Sequence, residues 1–233
     1  MSGLTGRRIV VTGASRGIGR AVADRLAAAG ARVMSLSRST PSVSAAGETH
    51  IACDLADADA VDRAAETMLA AGPPDGVIHN AGAFLLKPAA DTTAEEFAAQ
   101  LTLTLAGPFR LLRTLMPGLA TAGGHLVTVG SIADHRIFPG NVAYGSAKHG
   151  LRAMHETLAL EYQGRIRATL VSPGPTDTAV WDPYDPDARD DLPDRSVMLR
   201  ADDVAEAIVW ALLQPRHVNV DLIRVGPSGL SDD

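Results

Sequence analysis

Short runs of apolar, β-branched residues alternate along this chain with longer stretches of Ala, Leu, Arg and Glu, and that alternation constrains the fold more than any other feature. Strands are expected near 8–12, 32–36, 50–53, 76–79, 125–130, 166–171 and 221–225. Helical patterns lie between them near 17–29, 58–71, 94–115, 142–162 and 201–213. Strand–helix alternation favours a parallel sheet with helices on both faces. The strands agree, because Ile9, Val10 and Val11 stand in a row, as do Leu126 and Val127, and such runs suit strands covered on both sides. The expected fold is therefore α/β: a doubly wound, Rossmann-type, mostly parallel seven-stranded sheet in a single domain spanning 1–233. Ligands of such sheets sit at the carboxyl ends of the strands.

One stretch breaks the rhythm. Residues 181–196 hold three Pro and six Asp and can continue neither a strand nor a regular helix. They read either as a solvated surface loop or as a lid over a pocket, with Trp181 and Tyr184 as its apolar contacts.

Between the first strand and the first helix comes Thr12-Gly13-Ala14-Ser15-Arg16-Gly17-Ile18-Gly19. The glycines permit a tight turn and a close backbone approach. The helix that follows offers unpaired N–H groups and the positive end of its dipole, a setting that suits a pyrophosphate. The spacing is Gly-x-x-x-Gly-x-Gly rather than Gly-x-Gly-x-x-Gly, so a plain strand-to-helix turn stays open on this motif alone. The second strand ends Ser35-Leu36-Ser37-Arg38, without the acid that NAD-selective sites place at the ribose hydroxyls. Arg38 can take a 2′-phosphate in a forked contact, and Arg16 can reach the same group. Two cations and no carboxylate favour NADP(H) over NAD(H), against the alternative that both arginines are simply solvated. Asp54, before Leu55, can accept from an adenine amino group or cap the next helix, a job for which Asp57 competes. Asn80-Ala81-Gly82 ends the fourth strand: Asn80 can bridge strand ends, and the two small residues let a cofactor lie close.

Of the 21 basic residues only Lys87 and Lys148 are lysines. Lys148 stands four residues after Tyr144 in a helical segment, which puts both side chains on one face about a turn apart. A free phenol is a poor base near neutral pH, and a neighbouring ammonium favours its phenolate form, so Tyr144 is expected to exchange a proton with an alcohol or carbonyl oxygen. Ser131, at the end of the fifth strand, can hydrogen-bond the same oxygen. Singly, each also reads as an ordinary packed aromatic, an exposed lysine or a cap.

Taken in order, Thr12-Gly13-x-x-x-Gly17-x-Gly19, Asn80-Ala81-Gly82, Ser131, Tyr144-x-x-x-Lys148 and Pro173-Gly174-Pro175-Thr176-x-Thr178 resemble the single-domain short-chain dehydrogenase/reductase family over nearly the whole chain. The resemblance implies that Tyr144 is proton donor and acceptor, that Ser131 positions the substrate oxygen, and that Lys148 tunes Tyr144 and binds the nicotinamide ribose. It also implies that Pro173, Gly174, Thr176 and Thr178 contact the nicotinamide, and that basic residues such as Arg16 and Arg38 mark members that prefer NADP. Its two long helices imply homodimer or homotetramer contacts. One position departs: Thr104, in Thr104-Leu105-Ala106-Gly107-Pro108-Phe109, stands where the family usually has a catalytic Asn that distorts the helix. Thr104 can bond a carbonyl one turn earlier, and Pro108 removes the hydrogen bond to residue 104's own carbonyl.

The implied function is hydride transfer between NADP(H) and a carbonyl or secondary alcohol, a small-molecule substrate whose pocket Asp134, His135 and Arg136 are expected to line, with Val180, Trp181 and Tyr184 as its lid. The alternative is a catalytically impaired NADPH-binding sensor or regulatory protein, with Thr104 as its sign. A net charge of −6 makes nucleic acid and anionic membranes poor partners. No run reaches the ~20 apolar residues of a membrane span, and Met1 to Arg8 hold no signal-peptide stretch, so a cytoplasmic protein is expected. The single cysteine, Cys53, and seven scattered histidines suggest no metal.

Overall fold

The computed structural model describes residues 3–42 and 44–229; the ends of the expected 1–233 domain lie outside the described residues. Seven strands form one wholly parallel sheet: β1 (Arg8–Thr12), β2 (Arg32–Ser37), β3 (Thr49–Ala52), β4 (Gly76–His79), β5 (His125–Val129), β6 (Arg167–Pro173) and β9 (Leu222–Val225). Their order is β3-β2-β1-β4-β5-β6-β9. The chain winds outward from β1 to β3, then returns to lay β4 on the other side of β1. The connections leaving β1 and β4 therefore diverge, and a crevice opens at their carboxyl ends.

Alternation along the strands feeds two cores. Ile9 and Val11 point to the face covered by α1 (Gly17–Ala28) and α6 (Ala201–Leu213), where they join Val22, Leu26, Ile208 and Leu212. Val10 points to the opposite face and joins Val61 and Met68 of α2 (Ala58–Ala70) and Leu111 and Leu115 of α4 (Gly107–Thr121). On that side Met154 and Leu158 of α5 (Val142–Glu161) pack against the core. The central strands are buried apart from Arg8 at the start of β1, while every residue of the edge strand β3 is half-exposed or exposed.

The helix expected over 94–115 is three elements. α3 (Ala94–Leu101) starts on a capping box between Thr93 and Glu96. A π-helical turn, Thr102–Ala106, follows, and α4 then runs past Leu115 to Thr121, with Pro117 inside it. Pro108 has no N–H to give to the Thr104 carbonyl, and the Gly107 N–H reaches back five residues to the Thr102 carbonyl instead. A Cβ at position 107 would overlap the Leu55 carbonyl, so only glycine fits this closely against the loop after β3.

Residues 181–196 fold into short 3-10 turns at Asp182–Tyr184, Pro186–Ala188 and Arg195–Val197. A two-residue parallel pairing of β7 (Thr176–Asp177) with β8 (Leu199–Arg200), not foreseen from the sequence, brackets them. Arg195 ties the segment together through Asp177 and Asp182. Among the described residues no helix is long and apolar enough to cross a membrane.

Candidate active site

The glycine turn wraps the carboxyl end of β1. Gly13 and Gly17 have φ of 69° and 57°, in the left-handed region that favours glycine. Arg16 stands at the N-cap of α1 without capping it by its side chain, and no acidic residue occupies the first turn. The helix thus presents unpaired N–H groups and positive dipole density to whatever lies in front of it. Gly19 is buried beneath the turn: a Cβ there would overlap the Gly13 carbonyl oxygen and press on Asn80. Asn80 Nδ2 donates to the carbonyls of Thr12 and Gly13 at 3.1 and 3.3 Å.

A cavity of about 780 Å³ runs along this edge of the sheet. At one end stand Ser15, Arg16, Ser37 and Arg38; Gly13, Gly17, Ile18, Asp54, Leu55 and Asn80–Gly82 follow; Ser131, Tyr144, Lys148, Pro173, Gly174, Thr176 and Thr178 line the other end. Of the residues expected to act in catalysis or hold the cofactor, two do not line it. Gly19 shapes the turn from below, and Thr104 is fully buried in the π-helical turn. There its hydroxyl faces the Gln100 side-chain amide at 3.4 Å rather than a carbonyl one turn earlier. The opening of the helix comes from Pro108 and Gly107, not from the Thr104 side chain.

Arg16 and Arg38 are exposed and take part in no ion pair among the described residues. The Ser37 hydroxyl is already used, donating to the Ser39 carbonyl at 2.9 Å and lying 3.1 Å from His50 Nε2. Asp54 accepts from the Ala56 N–H, while Asp57 caps α2 through Asp59 and Ala60, which settles the competition for that cap. The sequence reading missed Arg20, whose fork grips Glu48 at 2.9 Å through both nitrogens; Glu48 in turn takes the Ala45 N–H at 2.8 Å. This pair folds the loop after Arg38 back onto α1.

At the far end, α5 carries Tyr144 and Lys148 one turn apart. Lys148 is buried, and its Nζ donates to the Val129 carbonyl at 3.1 Å. The ammonium lies 5.8 Å from the Tyr144 ring centre. Burial pushes the Tyr144 phenol up to about 12, against a lowering influence from its hydrogen bond with Ser131. The expected lowering by Lys148 is not among the influences on this phenol, whose net shift is upward through burial and the Asp134 charge. Burial also pulls Lys148 down to about 8, opposed by the Asp134 charge. Phe84 packs edge-on against Tyr144 with ring centres 4.9 Å apart, and Trp181 tilts over Phe84 at the same separation.

The expected pocket lining needs correction. Ile132 and Ala133 face the cavity, whereas Asp134, His135 and Arg136 do not. The turn after Ser131 carries the Asp134 carboxylate under Gly130 instead. Val180 and Trp181 line the cavity with Asp191 and Leu192 of the 181–196 segment. Tyr184 does not; its hydroxyl braces the 84–86 loop, accepting from the Leu86 N–H at 3.0 Å and donating to the Phe84 carbonyl at 3.3 Å. No group of three or more His, Cys, Asp or Glu is arranged to hold a metal among the described residues.

Residues 13–218 match the family model described as enoyl-(acyl carrier protein) reductase. The chain belongs to the short-chain dehydrogenase/reductase family. This short-chain dehydrogenase/reductase is 30% identical to an uncharacterized oxidoreductase of Staphylococcus aureus, over 97% of this chain and all of that protein. It is 34% identical to glycine betaine reductase of Emericella nidulans over 96% of its own length, but spans only 19% of that protein. The structure superimposes on an alcohol dehydrogenase from Thermococcus sibiricus complexed with 5-hydroxy-NADP, with a TM-score of 0.84 at 26% identity, covering 97% and 99% of the two chains. As a family member the protein is an NAD(P)-dependent oxidoreductase. Its own residues fit that cofactor: the α1 terminus has no competing cap, Gly13 and Gly19 keep Cβ atoms out of the turn, and the cavity is continuous from Arg38 to Tyr144.

Proposed function

We propose that this short-chain dehydrogenase/reductase uses NADP(H), in preference to NAD(H), to interconvert a carbonyl compound and the corresponding secondary alcohol, with Tyr144 as proton donor and acceptor. The observation that carries the reading is that Ser131, Tyr144 and Lys148 open into the same cavity as the uncapped start of α1. Arg16 and Arg38, exposed at the opposite end and free of ion pairs among the described residues, support a 2′-phosphate there.

When bound, the nicotinamide supplies or takes up the hydride. Tyr144, protonated at neutral pH as any phenol is, donates its proton to the substrate oxygen in the reducing direction. The Ser131 hydroxyl, paired with that phenol, holds the same oxygen in place and stabilises charge gathering on it. Lys148 supplies a buried positive charge beside the phenol and a donor for ribose hydroxyls. Residues 181–196 serve as the lid, with Val180, Trp181 and Leu192 shielding the reacting atoms from water. Phe109 and Leu160, exposed on α4 and α5, support self-association through these helices.

The test is NADPH absorbance followed against a panel of aldehydes and ketones, with NADH in parallel. The proposal expects turnover with at least one carbonyl and a higher kcat/KM with NADPH. Equal or better use of NADH contradicts the cofactor assignment. NADPH binding without turnover across the panel favours the impaired sensor or regulatory protein. The π-helical turn removes one ground for that alternative, since the helix opens without the usual Asn.

A further inference from the structure

The Asp134 carboxylate has no part in the reaction as described, yet it is a buried charge with four polar partners. It is 1% exposed. Oδ2 accepts from the Ser131 N–H at 3.1 Å and from the Ser172 hydroxyl at 2.5 Å. Oδ1 lies 2.7 Å from His135 Nδ1 and 3.4 Å from Arg152 Nη1. Position 130 is glycine because Asp134 Oδ2 fills the space a Cβ would need. Burying a carboxylate is costly unless its oxygens are met by donors. Here the donors outweigh burial and hold the Asp134 carboxyl below its usual range, so it is ionised at neutral pH.

Its partners belong to three separate walls of the site. Ser131 follows β5, Ser172 on β6 leads directly into Pro173, and Arg152 lies one helical turn beyond Lys148 on α5. Several groups bear on the Lys148 ammonium or on this carboxylate: Tyr144, Arg152 and His155 from α5, His79 from β4, and His135 beside Asp134 itself. The other carboxylate in this network, Glu156, is exposed and paired with Arg152. Asp134 is therefore the one buried anion among them.

We propose that Asp134 is a positioning residue that locks the Ser131 turn and β6 against α5, the helix that carries Tyr144 and Lys148. The Asp134 charge also serves as a counter-charge, opposing the burial that draws Lys148 toward neutrality. The kinetic consequence rests on the reading that Ser131, Tyr144 and Lys148 carry the reaction; the electrostatic one does not.

Two lysines in the whole chain make the test direct. Protein labelled with 13C at lysine Cε gives two side-chain resonances, and Lys87→Arg assigns them. In Asp134→Asn the Lys148 titration midpoint falls by ~0.5 pH unit or more. In Arg152→Gln, which removes a partly exposed cation, it rises. In Asp134→Asn kcat also falls ~10-fold or more while the NADPH dissociation constant stays within ~2-fold. An unmoved Lys148 midpoint in folded Asp134→Asn overturns the counter-charge role, and an unchanged kcat overturns the positioning of Ser131. Should Asp134→Asn not fold, an unmoved or lowered midpoint in Arg152→Gln overturns the proposal. Absence of turnover in the unmutated protein counts against the proposed reaction and leaves the titration readable.

Discussion

Asn80 and Thr12 hold each other across the crevice. The Asn80 amide donates to the Thr12 carbonyl at 3.1 Å, and the Thr12 hydroxyl accepts the Asn80 backbone N–H at 3.0 Å. These two bonds, both donated by Asn80, join the ends of β4 and β1 and fix the glycine turn from behind. Asn80→Ala leaves the Thr12 and Gly13 carbonyls short of a donor. It is expected to cost ~1–3 kcal/mol of stability and to weaken NADPH binding, read by thermal melts and fluorescence titration. Unchanged values in both would contradict this role.

Arg16 and Arg38 set cofactor choice in this account. Replacing either by Ala is expected to raise the NADPH dissociation constant ~10-fold or more, about 1.4 kcal/mol. NADH binding should change less than ~2-fold. Equal losses for both cofactors would assign these arginines to the pyrophosphate or to the fold instead.

The two reaction directions should differ in pH dependence. With the phenol raised to about 12, its proton is present throughout the neutral range, so carbonyl reduction needs no alkaline pH. Reduction is expected to decline above about 8, as the Lys148 ammonium is lost. Alcohol oxidation needs the phenolate and should climb with pH, by up to ~10-fold per unit. Initial rates in both directions across one buffer series check this, and parallel profiles would contradict it.

Three buried histidines, His79, His125 and His155, are drawn by burial down to about 3, about 3 and about 4. The unfolded chain binds protons at these positions from ~6.5 downward, where the folded one does not. Stability is therefore expected to fall as pH drops below ~6.5, by up to ~1.4 kcal/mol per unit for each histidine. Thermal melts over this range measure it. His155→Gln should make the slope shallower, and a slope unaltered by that substitution would count against the assignment.

How much of this was legible depended on how local the cause was. The central strands could be read because Ile9–Val11 and Leu126–Val127 are apolar on both faces, which only a covered parallel sheet accommodates. The Tyr144–Lys148 pair stood out because lysine is rare here and four-residue spacing fixes a common helix face. The π-helical turn was not legible: it needs Pro108 to withhold an N–H and the Leu55 carbonyl, more than fifty residues away, to exclude a side chain at Gly107. Nor was the place of Asp134. The residues just before it line the cavity, but the tight turn after Ser131 sends its carboxylate under Gly130 toward Ser172. The direction of the Tyr144 shift also depended on burial, which neither spacing nor composition reports.

The central claim is that the Tyr144 hydroxyl delivers the proton. Tyr144→Phe removes that oxygen and little else, so NADPH should bind with nearly unchanged affinity while single-turnover NADPH oxidation with an accepted carbonyl falls ~10²-fold or more. Turnover retained within ~10-fold, with binding intact, would contradict the account.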